Sequence, residues 1–200
     1  MTVLIEQPTE LAAATIAEHP WLADNSWSRP MWTIAELEAS LPRPLDAQQF
    51  KLAASHAPET VAGAATLRGW NTGSPQAPGM WLSVELPQPV MVTEIQFEST
   101  TQMAGGRGGR GAAGARGGGP GGGGTPIVTY PRGYSVQVST DGKTWSNPVA
   151  QGKGESTRTT ITFPPTRAKF VRITQTETVA DAPSWSVRNL RILEMPGGAK

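Results

Sequence analysis

The sequence predicts an all-β domain, an antiparallel β-sandwich of jelly-roll type, preceded by a short irregular or partly helical segment. Three observations predict it. Apolar and polar residues alternate with a period of two in several short stretches, as strands with one buried and one wet face do. Proline, glycine and aspartate stand between those stretches, where the chain must turn. The chain has 200 residues and no cysteine, and that length buries a core without cross-links.

The strands follow in order. Leu82, Val84 and Leu86 alternate with Ser83 and Glu85. Ile95 and Phe97 alternate with Glu94, Gln96 and Glu98, and Tyr134, Val136 and Val138 with Ser135, Gln137 and Ser139. Ile161 and Phe163 follow a threonine-rich run, and Val171 and Ile173 alternate with Arg172 and Thr174. Pro87 and Pro89 are expected to break the chain after the first strand, and Pro164-Pro165 to separate the last two, because proline cannot donate to a ladder. Asp141-Gly142 predicts a tight hairpin between Val138 and Trp145, since both residues tolerate positive φ. Residues 104–124 are glycine-rich, with Arg107, Arg110 and Arg116 among them. They hold almost nothing to bury, so they are expected to form a disordered loop inserted between two strands.

The first 45 residues are less regular. Leu11 to Glu18 suit a short helix by composition. Trp32-Thr33-Ile34-Ala35-Glu36-Leu37 has a counterpart in Trp185-Ser186-Val187-Arg188-Asn189-Leu190, and a repeated phrase can mark a repeated unit. On that reading the phrase is a strand and residues 1–45 are the tail of a preceding, similar domain plus a linker at Pro42-Arg43-Pro44. Residues 46–200 would then be one whole domain. Thr33 to Ser40, following Pro30, would equally suit a helix start.

Charge argues against a general polyanion binder, because the formal net is +1. The distribution is uneven: residues 1–60 hold eight acids and three bases, residues 61–200 eight acids and fourteen bases. Three arginines without interleaved aromatics make a thin case for RNA binding by the glycine-rich loop, since affinity scales with the phosphates contacted. No apolar stretch approaches the ~20 residues of a membrane helix, and Met1-Thr2-Val3-Leu4-Ile5-Glu6 does not read as a signal peptide. Catalysis finds no support: the sequence has no nucleophile elbow, phosphate-cradling loop or His-Glu-x-x-His.

Several phrases together carry a family resemblance. They are Ala53-Ala54-Ser55-His56, Gly69-Trp70-Asn71-Thr72-Gly73, Pro78-Gly79-Met80-Trp81-Leu82-Ser83-Val84-Glu85-Leu86, the run Tyr134 to Trp145, Ala168 to Thr174, and Ser184-Trp185-Ser186-Val187. Their order and spacing over residues 46–195 resemble the discoidin, or coagulation-factor type C, domain of the galactose-binding-like jelly-roll superfamily. The resemblance implies an eight-stranded sandwich with ligand-binding loops at one end, and a non-catalytic module that binds sugars, phospholipid headgroups or proteins. It further implies a C-terminal appendage of a longer exported bacterial protein, extracellular or periplasmic. The sequence departs from the family pattern in two places. Thr60 to Val84 contains no acid, and Asn189 stands where the closing phrase of the family commonly has Glu. Calcium favours carboxylate oxygens, so no cofactor is expected; any calcium site would be a weak one built from carbonyls.

Within that frame, His56, Arg68, Trp70, Asn71, Tyr130 and Arg132 are the candidate ligand-binding residues. Arg68, Trp70 and Asn71 would offer a guanidinium fork, an aromatic face and an amide to a sugar ring. His56 would be a hydrogen-bond donor, and Tyr130 and Arg132 border the glycine-rich loop. Glu177 and Asp181 would stand in another end loop. Trp81, Trp145 and Trp185 are placed in the core, where large aromatics contribute most. The predicted partner is a carbohydrate. A second reading is a structural domain that packs on a neighbouring enzymatic or haem domain and binds no free ligand.

Overall fold

The computed structural model describes residues 40–103, 126–180 and 182–196. The possible helix at Leu11 to Glu18, the Trp32 phrase, the glycine-rich loop and Asp181 lie outside them. Residues Pro42–Gly197 form one compact unit; of a second, Met1–Leu41 with Gly198–Lys200, only Ser40 and Leu41 are described.

Among the described residues ten strands follow one another: β1 (Arg43–Pro44), β2 (Lys51–Ala54), β3 (Trp70–Pro75), β4 (Trp81–Glu98), β5 (Thr101–Met103), β6 (Pro126–Val128), β7 (Tyr134–Ser139), β8 (Ala150–Gly152), β9 (Arg158–Gln175) and β10 (Ser184–Glu194). All pairings are antiparallel. The main sheet runs β1-β10-β4-β9-β7-β8, with β2 on β4 and β3 on β10, and β5 pairs β6 apart from it. Arg43 and Pro44, expected as linker, are an edge strand on β10, a position that tolerates proline.

Every predicted strand is present, but the prolines bend the chain instead of breaking it. Pro87 and Pro89 lie inside β4, and Pro164-Pro165 inside β9. The β4–β9 ladder skips from the Glu85–Phe170 pair to the Val90–Ala168 pair. Pro87, Gln88 and Pro89 therefore sit where no ladder donor is required, and all three are exposed. The first half of β4 pairs β2 and the second half β10. Long strands that bend and change neighbours make the corners of a sandwich. Both halves feed one core: Leu82, Val84 and Leu86 from the first, Val92, Ile95 and Phe97 from the second, with Val136, Ile173, Trp185, Val187 and Ile192.

The expected tight hairpin at Asp141-Gly142 is not formed. β7 ends at Ser139 and β8 starts at Ala150. Asp141 folds the intervening chain through its Oδ1, which accepts from Lys143 N and Thr144 N, both at 2.8 Å, and from Ser139 Oγ at 2.9 Å. Gly142 has φ +73°, which glycine adopts without strain. A carboxylate that takes three donors builds a wider turn than a two-residue hairpin. A buried hydroxyl knot fixes the small sheet to β10: Thr129 Oγ1, Ser186 Oγ and Thr100 Oγ1 are mutually hydrogen-bonded.

Candidate functional site

One end of the sandwich is organised by a single amide. Gln76 follows the last residue of β3 and is 2% exposed. Its Nε2 donates to Tyr130 O at 3.1 Å and Pro183 O at 3.2 Å. Its Oε1 accepts from Arg132 N at 2.9 Å and from Gln175 Nε2. Both donors and the acceptor oxygen are thus in use, and four chain segments are tied at one point. Thr178 Oγ1 adds a bond to Gln76 O at 3.0 Å. On this support the half-buried Arg132 guanidinium lies 3.9 Å from the Tyr130 ring centroid and donates to Val128 O at 3.1 Å. That carbonyl uses one of its five N–H donors, and no carboxylate among the described residues pairs with it. Glu177 lies in the same end loop, bridged to Lys153 at 3.2 Å.

The other candidates lie elsewhere. Trp70, expected in a polar loop with an open ring face, is 2% exposed. It opens β3 on the inward side, and its Nε1 donates to His56 O at 3.0 Å and Ala57 O at 3.2 Å. Its ring meets Trp185 edge to face, centroids 5.3 Å apart. It is a core residue, so the stacking role expected of it is not available. His56 Nδ1 shares a hydrogen bond with Ser55 Oγ at 2.9 Å. Arg68 is exposed beside Leu67. Asn71 is also exposed, and its Oδ1 accepts from Gly73 N at 2.8 Å, which closes a local turn. Trp70 opens β3 and Gln76 follows its last residue, so the two stand at opposite ends of the strand. The six candidates therefore do not converge. Tyr130 and Arg132 meet at the Gln76 end; Arg68 and Asn71 stay with Trp70.

The structure adds a cluster that sequence reasoning missed. Trp81 and Trp145, expected in the core with Trp185, are only half-buried. Trp81 alternates out of phase with Leu82 and Val84, so it stands on the outer face of the sheet. Trp145 leaves the Asp141 turn onto the same face. Between them comes Arg172, whose guanidinium carbon is 3.9 Å from the Trp145 centroid and 4.8 Å from the Trp81 centroid. Its Nε is buried without a hydrogen-bond partner, and burial pushes its pKa below the ordinary arginine value, although a guanidinium stays charged. A groove of about 210 Å³ over β2, β4 and β9 is lined here by Trp81, Ser83, Glu85, Trp145, Phe170 and Arg172 among others. The signal was present in the sequence as strand parity.

Near β10, Glu98 accepts from Asn189 Nδ2 at 3.2 Å and pairs with Arg158 at 3.3 Å and Arg188 at 3.2 Å. The Asn189 bond and then the Arg158 bond, with the two arginine charges adding less, hold its carboxyl below the usual range against the opposing effect of burial. A glutamate at 189 would place a second negative charge against Glu98; the amide donates to it instead. No group of three or more His, Cys, Asp or Glu side chains is placed to hold a metal among the described residues. No helix among them is long and apolar enough to cross a membrane.

The comparisons agree with the fold. The family model described as the F5/8 type C domain matches residues 119–189, so the discoidin resemblance is met in the second half of the chain. The structure is similar to a Clostridium perfringens CBM32 module, CpGH89CBM32-5, in complex with GalNAc-β-1,3-galactose, at 16% identity and a TM-score of 0.53 over 75% of this chain and 99% of that one. It is similar to the family 32 CBM of Clostridium perfringens NanJ in complex with galactose, at 20% identity and a TM-score of 0.51 over 77% and 100%. An F5/8 type C domain from Bacteroides fragilis matches at 14% identity and a TM-score of 0.50 over 77% and 97%. None of the curated proteins matches the sequence. The architecture is the all-β jelly-roll sandwich that these domains share.

Proposed function

We propose that the chain is a non-catalytic carbohydrate-binding module that takes a galactose-type sugar at the Gln76 end of the sandwich. The observation that carries this reading is the Tyr130–Arg132 pair. Its backbone is fixed by a saturated buried amide, and its guanidinium keeps donors free beside an aromatic ring. A site whose groups are already positioned loses little entropy on binding, and sugar hydroxyls accept from guanidinium donors while the C–H face of the ring meets an aromatic. Similar solved modules bind galactose or GalNAc-β-1,3-galactose, which supports the ligand class. By the same reading the module belongs to a longer exported bacterial protein and works outside the cytoplasm, where it brings a neighbouring domain to glycan.

The test is calorimetric titration with galactose and N-acetylgalactosamine. The expected result is weak saturable binding that Arg132→Ala removes and His56→Ala, away from the pair, leaves in place. Heat-silent titration with both sugars, or binding indifferent to Arg132→Ala, overturns the proposal.

A further inference from the structure

We infer that the outer face of the sheet carries a second ligand site, in which Arg172, flanked by Trp81 and Trp145, receives the carboxylate of an acidic sugar chain. The site is separate from the Tyr130–Arg132 end. Arg172 pairs with Gln137 in the middle of the β7–β9 ladder, whereas Arg132 precedes β7 in the chain.

The argument starts from an unmet donor. Among the described residues Arg172 enters no ion pair, and its buried Nε–H has no partner. A buried donor without an acceptor costs free energy that a ligand can return. Two indole centroids lie 3.9 and 4.8 Å from the guanidinium carbon. A guanidinium takes a carboxylate along its N–H edge, in a two-point hydrogen bond. The one acid in the groove, Glu85, does not serve Arg172. It is held by Lys51 at 3.6 Å and Lys169 at 3.5 Å. Those two lysines and Arg172 outnumber Glu85, so the local charge favours an anion.

The groove also favours a glycan over an acidic peptide. Extended peptides gain affinity by adding to a free sheet edge, where main-chain donors and acceptors are open. Here β4 lies between β2 and β9, and β9 between β4 and β7, so the backbone beneath Trp81 and Arg172 is already paired. Only side chains are on offer: two indoles, the Phe170 ring, Ser83 and the guanidinium. A uronate ring supplies what they lack, with C–H faces for the aromatics and a carboxylate for Arg172. The groove volume of about 210 Å³ is below the ~300–1,000 Å³ of drug-sized pockets. It suits one sugar unit of a chain lying across the strands.

The experiment titrates the whole chain with trigalacturonate, with neutral trigalactose and with polyglutamate, read by tryptophan fluorescence and calorimetry. Trigalacturonate is expected to bind and change the fluorescence, and Arg172→Gln to weaken it roughly tenfold or more, the value of a charged hydrogen bond. Arg172→Lys keeps the charge but loses the two-point geometry and is expected to weaken it as well; near-UV circular dichroism verifies that both variants are folded. Arg132→Ala should leave uronate binding intact. The inference is overturned by absence of uronate binding, by uronate binding that survives both Arg172 variants, or by polyglutamate binding as tightly. Uronate binding lost in Arg132→Ala but kept in Arg172→Gln would also overturn it, while leaving the sugar site at the Gln76 end standing.

Discussion

Trp70 and Trp185 meet edge to face inside the sandwich, with centroids 5.3 Å apart and both rings at most 2% exposed. Trp81 and Trp145 stand outside it, half-buried around Arg172. The same side chain, at or beside strands in all four cases, serves as core in one pair and as surface in the other. Strand parity decides between them. Trp185 shares its face with Val187, which is buried. Trp81 falls on the opposite face from Leu82, Val84 and Leu86, which are also buried. The inner pair gains from area removed from water and from the edge-to-face ring contact. The outer pair gains mainly from cation–π attraction, which is smaller and stays partly in solvent.

That difference sets the largest expected effect. Trp185→Ala empties a fully buried site and should cost about 3–5 kcal/mol, enough to leave much of the chain unfolded at ordinary temperature. Trp81→Ala removes a half-exposed ring and one cation–π contact and should cost about 1–2 kcal/mol. Urea denaturation followed by circular dichroism measures both. Equal losses would mean that the outer pair is as structural as the inner one.

A finer cut sharpens the inner pair. Trp70→Phe keeps an aromatic ring in the core but removes the Nε1 donor to His56 O and Ala57 O. Ala57 has φ +43°, a left-handed conformation that a residue with Cβ enters at a cost. The indole bond holds that turn together with the bonds from Thr60 N and Oγ1 to Ala57 O. The variant should lose about 1–3 kcal/mol, chiefly for the unmet His56 carbonyl, less than Trp185→Ala. Hydrogen exchange at residues 56–61 should rise with it. Unchanged exchange there would show that the turn is held by something other than the indole.

How much of this was legible follows from the kind of signal each feature leaves. The strands were legible because alternation is local: Leu82, Val84 and Leu86, and Tyr134, Val136 and Val138, declare their buried face within a few residues. Trp81 was equally legible by parity, and the habit of burying large aromatics overrode it. The prolines were misread because a break and a bend leave the same mark. Whether Pro87 ends a strand or turns a corner depends on whether a partner skips the ladder at that point, as β9 does. Of the candidate site, Tyr130 and Arg132 were named only as bordering the glycine-rich loop; neither their contact nor its support was legible. Gln76 is an ordinary glutamine in a loop until the fold brings residues 130, 132, 175 and 183 around it. Such a hub has no local pattern. The Arg172 cluster is non-local in the same way, assembled from β4, β9 and the chain after β7.

The smallest effect concerns the turn that delivers Trp145 to the outer pair. Asp141 is fully exposed, yet backbone bonds from Thr144 and Lys143 and the hydroxyl of Ser139 pull its pKa down from 3.8 to about 2. The unfolded chain lacks those donors and binds the proton more readily. The bonds therefore stabilise the folded state fully above about pH 4, and the benefit fades as pH falls from there towards 2. Asp141→Asn keeps an acceptor oxygen but cannot ionise, so it should flatten the acid limb of the urea midpoint against pH in that window and lower the midpoint slightly at pH 7. The same variant should loosen Trp145 from Arg172, since the turn sets where the indole stands, and the tryptophan fluorescence should then shift to the red at pH 7. A parallel shift in wild type on acidification between pH 4 and 2, absent in Asp141→Asn, would tie the outer cluster to this carboxylate; an unshifted spectrum in both would show that Arg172 alone holds the indole.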